Sequence, residues 1–174
     1  MSSGAGQVVV VSGNPQPASR TGRAAELVGG KVAALVGFAH PLKLLELAAH
    51  GPALLGWGDP AVTELKATVM SADVLVIASP TFKAGVSGLL KLFLDQFGHD
   101  ELGGVTTIAM MTGGGPAHSL AVEVQLKPVL VEIGASLPTR GLYICGPDVD
   151  DPESAIDTWL ALAGPILARS LGHV

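Results

Sequence analysis

The segment from Ser12 to Thr21 carries the residues of this sequence best suited to holding an anion. It ends in Ser19-Arg20-Thr21, where a helical pattern begins. Free backbone amides at a helix N-terminus attract anions, and two hydroxyls and a guanidinium add hydrogen-bond donors. The segment has neither the Gly-Lys-Ser/Thr ending of a Walker loop nor a Gly-x-Gly-x-x-Gly fingerprint. It predicts a phosphate pocket of another type, with an ordinary capped helix start as the alternative.

Two further loops have the composition of a site for a flat ligand. The loop Ser79-Pro-Thr-Phe-Lys-Ala-Gly85 follows an apolar run, and its backbone amides and the Phe82 ring could line a heteroaromatic ligand. The loop from Met111 to Pro116 contains Gly113-Gly114-Gly115, which leaves backbone free for a ring to lie against. The alternatives are a plain turn anchored by Phe82 and a purely structural glycine run.

Apolar runs and helical patterns alternate along the chain and must position these loops. Buried parallel strands are predicted at residues 8–12, 74–78 and 105–111, because apolar and β-branched residues fill these runs without polar alternation. Weaker runs at 42–47 and 137–145 complete a set of five strands. Helices are predicted between and after the strands, at residues 19–36, 60–70, 86–97, 117–133 and 152–171.

This alternation predicts one doubly wound α/β domain over residues 1–174. No internal repeat and no long linker divides the chain. In such folds ligands bind beyond the carboxyl ends of the strands, and all three candidate loops follow strands. Pro128 predicts a kink near Val124 in the fourth helix, and Asp150 or Asp151 could cap the last one.

Composition narrows the function classes. With 10 Lys and Arg against 15 Asp and Glu, a net charge of -5 and no basic cluster, binding of nucleic acid is not expected. Residues 102–122 contain no Asp, Glu, Lys or Arg, but glycines and Pro116 interrupt them, so no membrane span is predicted. Residues 1–7 have no signal-peptide pattern, which predicts a cytoplasmic location.

No catalytic side chain and no metal ligand is predicted. The motif around Ser87 lacks the spacing of a nucleophile elbow, and the five histidines have neither obvious acid partners nor metal-ligand spacing. His118 is interpreted as a capping or packing residue. Cys145 is the single cysteine and is interpreted as an inert core thiol.

Three motifs in order resemble the NADPH-dependent FMN reductases. They lie at residues 79–95, 112–121 and 126–130, and the likeness extends over about residues 7–145. It is closest to the reductases that supply reduced flavin to alkanesulfonate monooxygenases. The resemblance implies a flavodoxin-like fold, with a five-stranded parallel sheet of order 2-1-3-4-5 and helices on both faces.

The resemblance also implies the ligands and their sites: FMN, with NADPH or NADH as the hydride donor. The FMN phosphate is expected at Ser19, Arg20 and Thr21. The isoalloxazine ring is expected between two groups of residues: Pro80, Thr81, Phe82 and Lys83 on one side, and Thr112, Gly113, Gly114 and Gly115 on the other. Two departures stand out: Gly13-Asn14-Pro15-Gln16 lacks the arginine of the usual Gly-Ser-x-Arg, and Val124 replaces a tyrosine.

The function predicted on this basis is NAD(P)H-dependent reduction of FMN. The electrons would then pass to free flavin, a flavin-dependent monooxygenase, a quinone or oxygen, among which the sequence does not choose. A homodimer or homotetramer is expected, with part of the helix at 86–97 facing a partner. The alternative is an FMN-binding electron carrier or flavin-responsive binding protein without its own turnover. The low aromatic content of 4% argues against a flavodoxin-type carrier.

Overall fold

A single parallel sheet of five strands organises the computed structural model, which describes residues 6–172. The first five and last two residues of the predicted domain lie outside the described residues. The strands are β1 (Val8–Ser12), β2 (Lys43–Glu46), β3 (Val74–Pro80), β4 (Thr106–Gly113) and β5 (Leu142–Cys145). Their spatial order is 2-1-3-4-5, and every neighbouring pair is parallel. This confirms the flavodoxin-like topology.

The central strands are apolar on both sides because helices cover both faces of the sheet. In β1, Val8 and Val10 pack into one core, while Val9 and Val11 pack into the other. All residues of β1 and β3 are buried. Side chains of successive strand residues point to opposite faces, so a two-sided core requires the uninterrupted apolar runs seen in the sequence.

Within residues 6–172, five α-helices form the two covering layers. They are α1 (Arg20–Val36), α2 (Pro60–Met70), α3 (Gly88–Leu94), α4 (Lys127–Glu132) and α5 (Glu153–Ser170). Helices α1 and α5 pack on one face of the sheet, and α2, α3 and α4 pack on the other. Among the described residues, no helix is both long enough and apolar enough to span a bilayer.

Helix α1 is positioned closely against the sheet. Its N-cap is Ser19, whose Oγ accepts a hydrogen bond from the amide of Gly22 at 3.0 Å. The helix ends at Val36 and is capped by Gly37, whose φ of 71° is the left-handed conformation that glycine adopts readily. A Cβ on Gly29 would lie 2.7 Å from Val10 Cγ2. Glycine at this position therefore lets α1 approach β1, which outweighs its lower helix propensity.

The predicted fourth helix, 117–133, is not one continuous α-helix. A short 3₁₀ turn at Pro116–His118 is followed by a π-helical turn at Val122–Leu126, and only then by α4. The predicted disturbance near Val124 is thus a π-helical turn, with Pro128 in the first turn of α4. Single π-helical turns are uncommon and occur often at functional sites.

The last strand and last helix differ from the sequence expectation at their starts. Strand β5 begins at Leu142 and not at residue 137, since Pro138 has no amide to donate and the Gly141 amide bonds the Glu123 carboxylate at 2.7 Å. The prediction that Asp150 or Asp151 caps the last helix is wrong. The N-cap of α5 is Pro152, without a side-chain hydrogen bond, and Asp150 contacts Arg20 instead.

Candidate functional site

The loops that follow β1, β3, β4 and β5 enclose a cleft of about 660 Å³ at the carboxyl edge of the sheet. This volume is in the usual range for small-molecule and cofactor sites. The residues that line the cleft are Asn14, Pro15, Gln16, Pro17, Ala18, Ser19, Arg20, Thr21, Arg23, Pro80, Thr81, Phe82, Thr112, Gly113, Gly114, Gly146 and Val149. Nine of the eleven predicted site residues are among them; Lys83 and Gly115 are not.

The start of α1 forms the anion-attracting corner of the cleft. The amide of Gly22 is satisfied by Ser19 Oγ and that of Arg23 by the Ser19 carbonyl. The amides of Arg20 and Thr21 have no hydrogen-bond partner within residues 6–172. They lie at the positive end of a 17-residue helix. Two free amides and the helix dipole suit a phosphate group.

Arg23 brings a second guanidinium to this corner and was missed in the sequence analysis. It is three residues beyond Arg20, so both lie on neighbouring positions of the helix surface. Its Nη1 donates to the carbonyl of Ala18 at 2.8 Å, and Ala18 has a positive φ of 50°. The helical spacing from Arg20 was the available signal. Arg23 supplies a cation to a corner whose preceding loop lacks the arginine of the Gly-Ser-x-Arg pattern.

Thr21 and Thr112 lie side by side beneath the cleft. Both are buried, and their hydroxyl oxygens are 2.7 Å apart. The side-chain amide of Asn14 donates to the Thr21 hydroxyl at 3.2 Å. These hydrogen bonds connect the first loop, the start of α1 and the end of β4. The Thr21 hydroxyl is thus engaged by two protein groups, and its backbone amide is the group left for a ligand.

The loop after β3 is a tight turn with two strained residues. Phe82 and Gly85 exchange both backbone hydrogen bonds at 3.0 Å, which leaves Lys83 and Ala84 as the two turn residues. Their φ angles are 51° and 64°, in the left-handed region that residues other than Gly, Asn and Asp rarely adopt. The turn presents Phe82 at the cleft with 49% of its surface exposed. Such strain is concentrated at functional sites.

The three consecutive glycines have different surroundings. A Cβ on Gly113 would overlap the hydroxyl of Tyr143, which donates a hydrogen bond to the Gly115 carbonyl at 3.2 Å. A Cβ on Gly114 or Gly115 would meet no atom within 4 Å among the described residues. Gly113 is thus required by packing, whereas Gly114 keeps the wall of the cleft free of side chains.

Buried serines hold the first two loops together. Ser87 Oγ donates to the Gly13 carbonyl at 2.5 Å, and the Ser87 amide donates to Ser79 Oγ at 2.9 Å. The Gly13 amide bonds the Ala78 carbonyl at 2.8 Å. These bonds fix the loops after β1 and β3 relative to each other.

One wall of the cleft, the turn after β5, was not predicted from the sequence. Gly146 and Val149 line the cleft there, although only the loops after β1, β3 and β4 had been considered. Strand β5 ends at the same edge of the sheet as β4, so its following turn was a candidate on the same argument.

The groups in the cleft match the chemistry of FMN. Free amides and two guanidinium groups at the start of α1 suit the phosphate, and the glycine backbone at the end of β4 suits a flat ring with polar edges. The hydroxyl of Thr81 is buried and has no hydrogen-bond partner within the described residues, so a polar ligand edge would satisfy it. Among the same residues, no group of His, Cys, Asp and Glu could hold a metal ion.

Comparison with known proteins gives matches that extend over most of the chain. The family model described as NADPH-dependent FMN reductase matches residues 7–148. The FMN reductase (NADPH) of Escherichia coli (strain K12) is 31% identical over 137 residues, covering 79% of this chain and 72% of that protein. The NADH-dependent FMN reductase SfnF of Pseudomonas putida is 31% identical over 142 residues, covering 79% and 76%. The solved apo form of an NADH:FMN oxidoreductase has a TM-score of 0.74 at 30% identity, with 88% and 87% covered.

Proposed function

The chain belongs to the NADPH-dependent FMN reductase family and is an oxidoreductase that uses FMN with NADPH or NADH, and we propose that the cleft at the carboxyl edge of the sheet is its flavin site. The observation that carries the proposal is the convergence of nine predicted site residues, from three separate loops, on that one cleft. Residues 1–174 would act as one domain.

In this proposal the phosphate of FMN lies at the start of α1. The amides of Arg20 and Thr21 would donate to it, and the guanidinium groups of Arg20 and Arg23 would balance its charge. Ser19 caps the helix and so holds these amides in position. The buried pair of Thr21 and Thr112 keeps the start of α1 against the end of β4.

The ring of FMN would lie between the Phe82 turn and the backbone of Gly113 and Gly114. Bound FMN would supply the redox chemistry by accepting a hydride from the nicotinamide nucleotide. Hydride transfer requires the two reacting atoms to approach to about 3–3.5 Å, so the task of the protein is to set distance and orientation. The strained Lys83-Ala84 turn and the Ser87 hydrogen bonds hold Phe82 and the neighbouring backbone for that purpose.

The fate of the electrons and the assembly of the protein are further parts of the proposal. Reduced flavin would pass electrons to a flavin-dependent monooxygenase, a quinone or oxygen. Association into a homodimer or homotetramer is supported by an exposed apolar stripe on the helical segment after β4, formed by Leu120, Val124 and Val131. Light scattering at micromolar concentration should give a multiple of 17.6 kDa; a mass of 17.6 kDa alone would exclude this assembly.

Comparison of FMN with riboflavin, which lacks the phosphate, tests the proposed site. Arg20→Ala should weaken FMN binding by about 1.5–3 kcal/mol, because a charge-assisted hydrogen bond is lost, and should change riboflavin binding much less. Both affinities are measured by titration of flavin fluorescence, with NADPH oxidation followed in parallel. Equal losses for the two flavins would mean that Arg20 does not bind the phosphate.

A further inference from the structure

The guanidinium of Arg20 already has an anionic partner at the rim of the cleft. Its Nη1 lies 3.3 Å from both carboxylate oxygens of Asp150, 130 residues further along the chain. The two side chains are 59% and 66% exposed. One nitrogen shared by two oxygens at this distance is looser than the parallel two-bond pairing that guanidinium and carboxylate groups can form. The guanidinium of Arg20 can therefore readily leave Asp150 for an anion that binds it more strongly.

Asp150 is placed at the cleft by the turn after β5. Its amide donates to the Pro147 carbonyl at 3.0 Å, which closes the turn that brings Gly146 and Val149 into the cleft wall. The carboxylate does not cap α5, and within the described residues its only hydrogen-bond partner is Arg20. The carboxylate of Asp150 thus makes its contact at the phosphate corner.

A second carboxylate lies at this corner. Glu46, at the end of β2, accepts a hydrogen bond from the amide of Ala18 at 2.8 Å. At this corner the carboxylates of Glu46 and Asp150 thus accompany the guanidinium groups of Arg20 and Arg23. A phosphate monoester brings roughly 1.5 to 2 negative charges at neutral pH, so these carboxylates oppose its binding. Asp150 contacts the guanidinium of Arg20, which is proposed to bind the phosphate, whereas Glu46 bonds the Ala18 amide, which is not.

We propose that Asp150 determines how strongly the enzyme prefers FMN to unphosphorylated flavin, by competing with the phosphate for the guanidinium of Arg20. The inference rests on the proposed function of the cleft. When the phosphate binds, the guanidinium of Arg20 bonds to it, either while still in contact with Asp150 or after leaving it. In the second case water replaces Arg20 as the partner of the Asp150 carboxylate. Asp150 thereby lowers the affinity for FMN without affecting the binding of the ring.

Asp150→Asn removes the competing charge while keeping the shape of the side chain. Asp151→Asn is the matched control, because it changes the net charge equally at the next residue, whose side chain makes no hydrogen bond to Arg20. Affinities for FMN and riboflavin are measured by flavin fluorescence at low and high ionic strength. Asp150→Asn should tighten FMN binding about threefold to tenfold at low ionic strength, and less in high salt, where exposed charges are screened.

The two remaining comparisons separate the possible outcomes. Riboflavin affinity should be the same in wild type and Asp150→Asn, and the gain for FMN should fall below about twofold when Arg20→Ala is also present. Unchanged FMN affinity in Asp150→Asn, an equal gain in Asp151→Asn, or equal gains for both flavins would overturn the inference while leaving the proposed function intact. A wild-type protein that binds neither flavin would overturn the proposed function itself.

Discussion

Alanine at Gly113 should impair folding, whereas alanine at Gly114 should leave folding intact and impair flavin binding. At Gly113 the new Cβ overlaps the Tyr143 hydroxyl and lies 2.9 Å from its Cζ. The ring must move, which adds an overpacking cost of about 1–3 kcal/mol to a lost hydrogen bond worth about 1 kcal/mol. The free energy of unfolding should fall by roughly 2–4 kcal/mol and Tm by roughly 5–15 °C.

At Gly114 the new Cβ meets no protein atom within 4 Å among the described residues, and φ is not positive. Stability should therefore stay within about 0.5 kcal/mol of wild type. The added methyl group would occupy the proposed ring position and displace the flavin by about an ångström, enough to reduce hydride transfer tenfold or more. Weaker FMN binding and slower NADPH oxidation are expected in a fully folded variant.

Urea unfolding of the protein without flavin gives the stability of both variants, and flavin titration with NADPH oxidation gives the function. Tyr143→Phe should restore part of the stability lost in Gly113→Ala, since it removes the overlapping hydroxyl. Equal stability of the two glycine variants would refute the packing argument. Wild-type flavin affinity and turnover in Gly114→Ala would refute the proposed ring position.

Two predictions concern the framework of the cleft and are read from urea unfolding. Ala84→Gly should raise the free energy of unfolding by about 0.5 kcal/mol, because the relief of backbone strain at a positive φ exceeds the entropy cost of glycine. The control Ala67→Gly, inside α2, should lower the free energy of unfolding by about 1 kcal/mol. Lower stability in both variants would contradict the strain at Ala84. Burial raises the pKa of Glu123, but hydrogen bonds from Lys127 and the Gly141 amide lower it by more. The net result is a pKa below the ordinary value of 4.5. The contribution of Glu123 is complete above that value and lost as pH falls through the folded-state pKa, so Glu123→Gln should cost about 1 kcal/mol at pH 7 and nothing in acid; a cost independent of pH would contradict this.

The buried strands of the sheet centre and the start of α1 could be predicted because their signals are local. Uninterrupted apolar runs indicated the buried strands, and Ser19 indicated the start of α1 at the correct residue. The order of the strands needed the family resemblance, since alternation of strands and helices alone does not fix which strands are neighbours. Both expectations agree with the structure.

The contacts that shape the cleft could not be predicted, because they join residues far apart in sequence. Asp150 was expected to cap α5 on the basis of its position, but its carboxylate reaches Arg20, which no local pattern indicates. Lys83 was expected at the ring, yet the hydrogen bonds between Phe82 and Gly85 place it in a strained turn outside the cleft lining. Arg23 had a signal in its helical spacing that was overlooked.

A crystal structure of the protein with FMN is the most direct test of the cleft as the flavin site. The phosphate is expected within hydrogen-bond distance of the amides of Arg20 and Thr21, with the ring against Gly114 and Phe82 and a polar ring edge within reach of the Thr81 hydroxyl. FMN bound outside the cleft, or bound in the cleft with its phosphate away from the start of α1, would contradict the account.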